Sequence, residues 1–425
     1  MVKAGAHARI GLAQSLGRLQ GGLRRSHAFA GGDHIGPLLD QGVHQGFGLL
    51  GVGGADRPVA LDLPAARRHG QAGPLRQRPG CLLAVQAGAL FVGACALGFD
   101  LGAGRVLSGQ VTGLEAQLGA VGQLGRALGD GAFVASTVMA GQVLTRLGSA
   151  EQQQHWLSGL ASGEQQMAVA VYETGARYDW QRTATRAQPS GAGWVLNGHK
   201  TLVLHGDSAD VMLVVARTAG GVSDATGLSV FAVDATAPGV TAQGFDTLDN
   251  RRAAHVTFKD VQLDADRLVG PVGEAAQAVE AALDAATAAL CAEAVGAVDA
   301  LLAHTAEHLR TRKQFGAPLA KFQVLQHRVA DMAIALEQLK SMACAAAMAV
   351  QADEPVQRRR LVSAAKVLTS QKGREIGLTA IQLHGAMGMT DECRVGHYAK
   401  RLMVIGQTLG DASWHLQRMQ HLSRV

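Results

Sequence analysis

The sequence predicts an α+β chain in the order helices, small antiparallel β domain, C-terminal four-helix bundle. Three observations carry that expectation. Apolar residues recur at helical spacing from Gly113, the period drops to two from Ala168, and the helical period returns at Val272 and holds to the C terminus. The expected divisions are a Gly/Arg-rich segment over 1–112, a remnant of an N-terminal helical domain over 113–166, the β domain over 167–270 and the bundle over 271–425.

The first segment stands apart from the rest. Up to Gln110 it has no Glu, Asn, Thr, Trp or Tyr but 23 Gly and 10 Arg, and strings such as "AARRHGQAGPLRQRPG" follow neither period. Two readings stand: a flexible basic extension, or sequence that does not encode the original domain, as a frame error in a GC-rich gene produces. It also holds the basic excess behind the net charge of +5, with 11 Lys/Arg against 5 Asp/Glu here and 28 against 29 in the remainder. That distribution argues against a nucleic-acid partner. Cys81 to Phe99 is uncharged and about as long as a bilayer span requires, yet it is Ala/Gly-rich and carries Gln86; no membrane span is expected. No compact charged-then-apolar signal segment opens the chain. The five cysteines are scattered and form no CxxC pair, which excludes a disulfide framework or cysteine zinc site and fits a reducing cytoplasm.

From Gly113 to Ala168 two or three helices are expected, with Ser149 capping "AEQQQHWLSGL" and Glu151 in its first turn. The strand candidates are "MAVAVYE", "GWVLNGHKTLVLHG", "DVMLVVART", "GLSVFAVD" and "RAAHVTFKDVQL", separated by Gly, Asn and Asp turn signals. Four long helices follow, the last read as continuous through "VGHYAKRLMVIGQTLGDASWHLQRMQHL".

Four stretches could carry chemistry. "RTRKQFGAPLAKFQVLQH" puts Arg310, Arg312 and Lys313 at a helix end, where cations either offset the helix dipole or hold an anion. "HTAEH", His304 to His308, matches H-x-x-E-H, in which two histidines ligate zinc and the glutamate acts as base; no third ligand shows supporting spacing, and no metal is expected. "VYETGARYDW" joins a strand to a charged turn. "QLHGAMGMT" places Gly385, Ala386 and Gly388 after a helix, either as a tight corner or as a cradle where backbone N–H groups approach an anion.

In this order, the β domain opening with "VAVYETGARYDW" and the bundle with "TRKQFGAPLAKFQVLQH" and "AIQLHGAMGMTDECRVGHYAKRL" resemble the acyl-CoA dehydrogenases from Gly113 onward. Within that family the pattern looks most like the small subunits of heteromeric enzymes, such as that of pimeloyl-CoA dehydrogenase. The resemblance implies FAD as cofactor, an acyl-CoA substrate desaturated between its α and β carbons, electron-transfer flavoprotein as acceptor, and a homo- or hetero-oligomer with a larger subunit. It implies that Arg312 meets the FAD phosphates, Phe315 packs near the adenine, and Gln382, Gly385 and Ala386 of the partner subunit approach the same FAD.

The chain also departs from the family. The usual base, a glutamate in "Y-E-G-T", is replaced by Leu409 in "T-L-G-D", and the alternative base position falls at Ala286, beside Thr287 where an arginine is common. Tyr172 and Tyr178 stand for small hydroxyl residues near the flavin, and "LVLHG" for an aromatic-Ile-Thr-Asn-Gly run. Two carboxylates remain as candidate bases. Asp411 is one, with helix capping or a ribityl contact as its other reading; Glu293 is the second. A carboxylate of either kind must lie near the substrate and desolvate to reach a useful pKa. The alternative function is a non-catalytic assembly subunit that completes a partner's FAD site.

Overall fold

The computed structural model describes residues 119–422 except 130 and 353, all within one compact unit. The Gly/Arg-rich stretch and the Cys81–Phe99 run lie outside the described residues.

A helical segment over 119–127 is followed by a wide π-helical stretch, Val134–Ala140, that runs into α1, Gly141–Leu147. The first of these crosses the bundle closely, because both sides of the crossing are glycine: a Cβ on Gly296 would strike the Gly122 carbonyl, and one on Gly125 that of Glu293. α2, Ala150–Ser162, starts with a capping box in which Ser149 Oγ accepts from Gln152 N while Gln152 Oε1 accepts from Ser149 N.

The β domain is one eight-stranded sheet. Its strands are β1 (Met167–Ala170), β2 (Arg186–Ser190), β3 (Gly193–Leu204), β4 (Val211–Arg217), β5 (Leu228–Asp234), β6 (Val240–Asp246), β7 (Arg252–Leu263) and β8 (Leu268–Val269). The order is β6-β7-β3-β2-β4-β5-β8, with β1 on β4. β4 explains its own unbroken apolar run. Val211, Leu213 and Val215 enter the core shared with the helices, whereas Met212, Val214 and Ala216 enter a second core with Leu196, Val256 and Phe258. The sheet is not wholly antiparallel as expected: β1 pairs in parallel with β4, Met167 opposite Val211. A parallel pair needs a long connection, and two intervening strands and their loops supply it here.

The bundle is built from α3 (Ala276–Thr311), α4 (Gln323–Gln351), α5 (Pro355–His384), α6 (Arg394–Gln407) and α7 (Ala412–Leu422). A two-stranded hairpin, β9 (Lys313–Gln314) and β10 (Ala317–Pro318), separates α3 from α4. Its turn residues Phe315 and Gly316 both have positive φ, 54° and 77°, as a tight hairpin requires. α3 and α4 are each long and apolar enough to cross a membrane, but 83% of the α3 window is buried inside the protein, against 39% for α4.

The last helix is two helices. The chain breaks between Gln407 and Ala412, where Leu409 has φ 58° and Gly410 φ 116°. Lys366 Nζ, buried on α5, donates to Gly410 O (2.6 Å) and Gly406 O (3.4 Å), which holds the break from outside the local sequence.

Candidate functional site

Two cavities gather the residues singled out from the sequence. The first, about 830 Å³, is a groove where the ends of α3 and α5 lie beside the start of α4. Arg312, Gln382, Gly385 and Ala386 all line it. Both stretches lie together on one chain, because α3 and α5 end side by side. The groove's charged and titratable lining is cationic in type, Arg312, Arg328, His308 and His384, with no carboxylate. Gly385 has φ 64° and nothing within 4 Å of where its Cβ would stand, so its backbone is open to a close neighbour. Phe315 is outside the groove and 91% exposed, with its ring edge-on to Phe322 at 6.1 Å.

His304 and His308 meet no third ligand among the described residues. Among the described residues no group of three or more His, Cys, Asp or Glu gathers. His308 instead stacks on His384, ring centroids 4.3 Å apart, and His304 tilts against Tyr398 at 5.9 Å.

The second cavity, about 1060 Å³, lies between the β domain and the bundle. Val134, Leu202, Leu248, Leu290 and Leu378 supply apolar wall, and Tyr178, His205 and Gln407 polar points. Three carboxylates line it, and each is ion-paired: Asp249 with Arg401 (2.8 Å), Glu375 with Lys372 (2.8 Å) and Asp411 with Arg177 (3.3 Å). Asp411 is the N-cap of α7, its Oδ1 accepting from Trp414 N at 2.8 Å. Tyr178 stands beside it, 6.2 Å from the Trp414 ring. Tyr172 is half-buried, with its phenol pushed up by burial first and then by Tyr178; its backbone carbonyl accepts from Thr201 N.

The turn that carries Leu409 is rigidly held. Leu409 is 6% exposed, its carbonyl accepts from His415 Nε2 (3.2 Å), and His415 Nδ1 accepts from Ser363 Oγ (3.1 Å). Burial, then Lys366 and Arg418, push His415 down to about 2, so the ring is neutral. The carbonyls of Gly406, Leu409 and Gly410 are thus all satisfied around a side chain that has no acid–base chemistry.

Glu293 is not arranged as a base. It is 3% exposed; Arg401 Nε and Nη2 donate to its two oxygens at 2.8 and 2.7 Å, and Arg251 Nη2 adds a third bond at 2.8 Å. Burial alone would raise its pKa, but Arg401 and then Arg251 outweigh it and hold the carboxyl down at about 2. A carboxylate bound this way accepts a substrate proton poorly.

The "VYETG" stretch is structural by the same kind of accounting. Glu173 accepts from buried Lys200 Nζ (2.8 Å) and from the backbone N–H of Ala184 and Thr185 (2.7 and 3.0 Å), which ties β1's exit to β3 and the following loop. Arg251, Arg401, Lys366 and His415 were not singled out from the sequence. Their partners lie too far along the chain for spacing to reveal them.

Comparison with known proteins bears on the fold and the family. Residues 168–261 match the middle domain of acyl-CoA dehydrogenases, and residues 276–421 their C-terminal domain. The human mitochondrial short-chain specific acyl-CoA dehydrogenase is 31% identical over 262 residues, 61% of this chain and 63% of that protein, so the match spans less than two thirds of that relative. Among solved structures, a Tcur3481–Tcur3483 steroid ACAD variant shares 29% identity and a TM-score of 0.68 over 81% of this chain and 88% of that one. The ChsE4–ChsE5 complex from Mycobacterium tuberculosis shares 26% identity and a TM-score of 0.66 over 82% and 98%. With two adjoining family domains matched in sequence across the β domain and the bundle, on the fold those structures share, the chain belongs to the acyl-CoA dehydrogenase family.

Proposed function

We propose that this chain is a small-subunit-type component of a heteromeric, FAD-dependent acyl-CoA dehydrogenase of the cytoplasm, with electron-transfer flavoprotein as acceptor. The observation that carries the reading is the cationic groove in which Arg312, Gln382, Gly385 and Ala386 meet. Its residues fit the ADP half of FAD: guanidinium groups that fork onto phosphate oxygens, no lining carboxylate to repel them, and an open Gly385 backbone. When bound, the flavin supplies the hydride acceptor for the substrate's β-hydrogen. Arg312 and Arg328 neutralise the pyrophosphate, and exposed Phe315 covers the adenine side once a second subunit closes over it.

The base comes from the larger subunit in this reading. Leu409 occupies the turn where a carboxylate is expected, Asp411 is engaged by Arg177 and by the α7 N-terminus, and Glu293 is saturated by guanidinium groups. Those three facts also support the second reading, a non-catalytic subunit that only completes a partner's FAD site. The full chain purified alone and with a co-expressed larger acyl-CoA dehydrogenase subunit tests both readings. Bound flavin that bleaches with an acyl-CoA in this chain alone would contradict both; bleaching that requires the pair supports the heteromer.

A further inference from the structure

His308 and His384 both line the cationic groove, and among the described residues no carboxylate lines it with them. His308 sits one turn before the end of α3, half-buried, and among the described residues its ring makes no hydrogen bond or ion pair. The charged and titratable groups that share the groove with it come from three helices: Arg312 on α3, His384 on α5 and Arg328 at the start of α4, while Arg394 on α6 acts on His304 one turn back along α3. Glu307, its nearest acidic residue in sequence, is exposed and pairs with Arg310. His384 is fixed by its Nδ1–H, which donates to Ala380 O at 2.9 Å. Two stacked imidazoles among arginines are thus placed where only an anion relieves them.

We propose that His308, braced by His384, is a phosphate-binding residue of the groove and takes up a proton as the anion enters. The proposal rests on the reading of the groove as the FAD pyrophosphate site. In the free protein partial burial first, then His384 and Arg312, keep His308 below the usual 6.5, so the ring is neutral at pH 7. A pyrophosphate within reach reverses the sign of the local field and makes the imidazolium the stable form. The bound state then holds more protons than the free state, and affinity rises as pH falls. One proton gives at most about a tenfold gain per pH unit, and the gain levels off below the free-state pKa.

The test is calorimetric titration of the full chain with FAD at about pH 6, 7 and 8, in two buffers of different ionisation enthalpy; the FAD pyrophosphate is a diester that does not titrate there. The expected result is a Kd that falls toward pH 6 with uptake of up to one proton. His308→Gln still binds FAD, with a flat pH profile and no uptake, while His304→Gln keeps the wild-type profile. His384→Gln removes a neighbour that disfavours the His308 proton, so uptake persists and the profile moves to higher pH; this variant carries the test if His308→Gln does not fold. A wild-type Kd constant across the range, or uptake that survives His308→Gln, overturns the inference alone. No FAD binding at any pH overturns the cofactor reading and the inference with it.

Discussion

Replacing Glu293 by Gln keeps the volume and removes the charge on which two buried arginines converge. Arg401 and Arg251 make three hydrogen bonds to the Glu293 oxygens, and Asp249 is the remaining acid at this cluster, accepting from Arg401 Nη1 at 2.8 Å. The variant leaves two guanidinium groups facing one carboxylate in the interior. Breaking a buried pair in this way costs about 3–5 kcal/mol. Linkage gives a second route to the magnitude. The folded-state pKa lies at about 2, below the ordinary 4.5, and at about 1.4 kcal/mol per pH unit the difference is about 3 kcal/mol. A depressed carboxyl pKa stabilises the fold above pH 4.5, and that contribution is lost as pH falls from 4.5 toward 2. Urea denaturation followed by far-UV circular dichroism at about pH 7, 4 and 3 reads both quantities. Glu293→Gln is expected to lose about 3 kcal/mol at pH 7, with the wild-type and variant curves converging below pH 4. A loss under about 1 kcal/mol at pH 7, or parallel curves down to pH 3, would mean that Arg401 and Arg251 do not hold Glu293 as a buried ion-pair centre.

Arg312→Ala removes a charged donor from the groove; at about 1.5–3 kcal/mol for such a bond the FAD Kd rises roughly 10- to 150-fold, measured by flavin fluorescence titration, with thermal stability unchanged. Lys366→Met tests the hold on the α6–α7 break: burial pushes Lys366 down to about 8 from 10.5 against the pull of Cys291 and Asp411. The folded chain therefore releases this proton first, and wild-type stability gains about 3 kcal/mol between pH 8 and 10.5 from this lysine. The variant lacks that share of the gain in chemical denaturation. Phe315→Asp puts a charge on a 91% exposed aromatic and is expected to lower the apparent mass in light scattering without changing the monomer's circular dichroism.

What was legible in the sequence was local. Ser149 as the N-cap of α2 is a local signal and forms as read, and Gln152 completes it as a capping box. β4 and β5 are runs of apolar residues because both their faces meet a core, so the pattern and the structure are the same fact. The parallel placement of β1 was not legible, because it depends on a strand more than forty residues on. Glu293 shows the boundary most clearly: its spacing on α3 says it is buried, and it is. Its partners Arg251 and Arg401 lie 42 and 108 residues away, so nothing near it reveals that it is an ion-pair centre. Arg217 is similar, a buried guanidinium that donates to the carbonyls of Gln181, Thr183, Val222, Asp224 and Thr226 and so folds two loops at once. The break at Leu409 needs Lys366 from α5 and His415 from α7, and a single helical pattern runs straight through it. The groove residues were legible as two motifs; that they share one groove of one chain required the bundle.

In the proposed function this chain grips the cofactor and leaves proton abstraction to another subunit. The direct measurement is the rate of flavin bleaching by an acyl-CoA in the complex with a larger acyl-CoA dehydrogenase subunit, comparing wild type with Asp411→Asn in this chain. The expected results are no bleaching by this chain alone and a bleaching rate in the complex that Asp411→Asn changes less than about threefold, since the variant loses only an ion pair and part of a helix cap worth about 1 kcal/mol. Bleaching by this chain alone, abolished by Asp411→Asn, would contradict the proposed function.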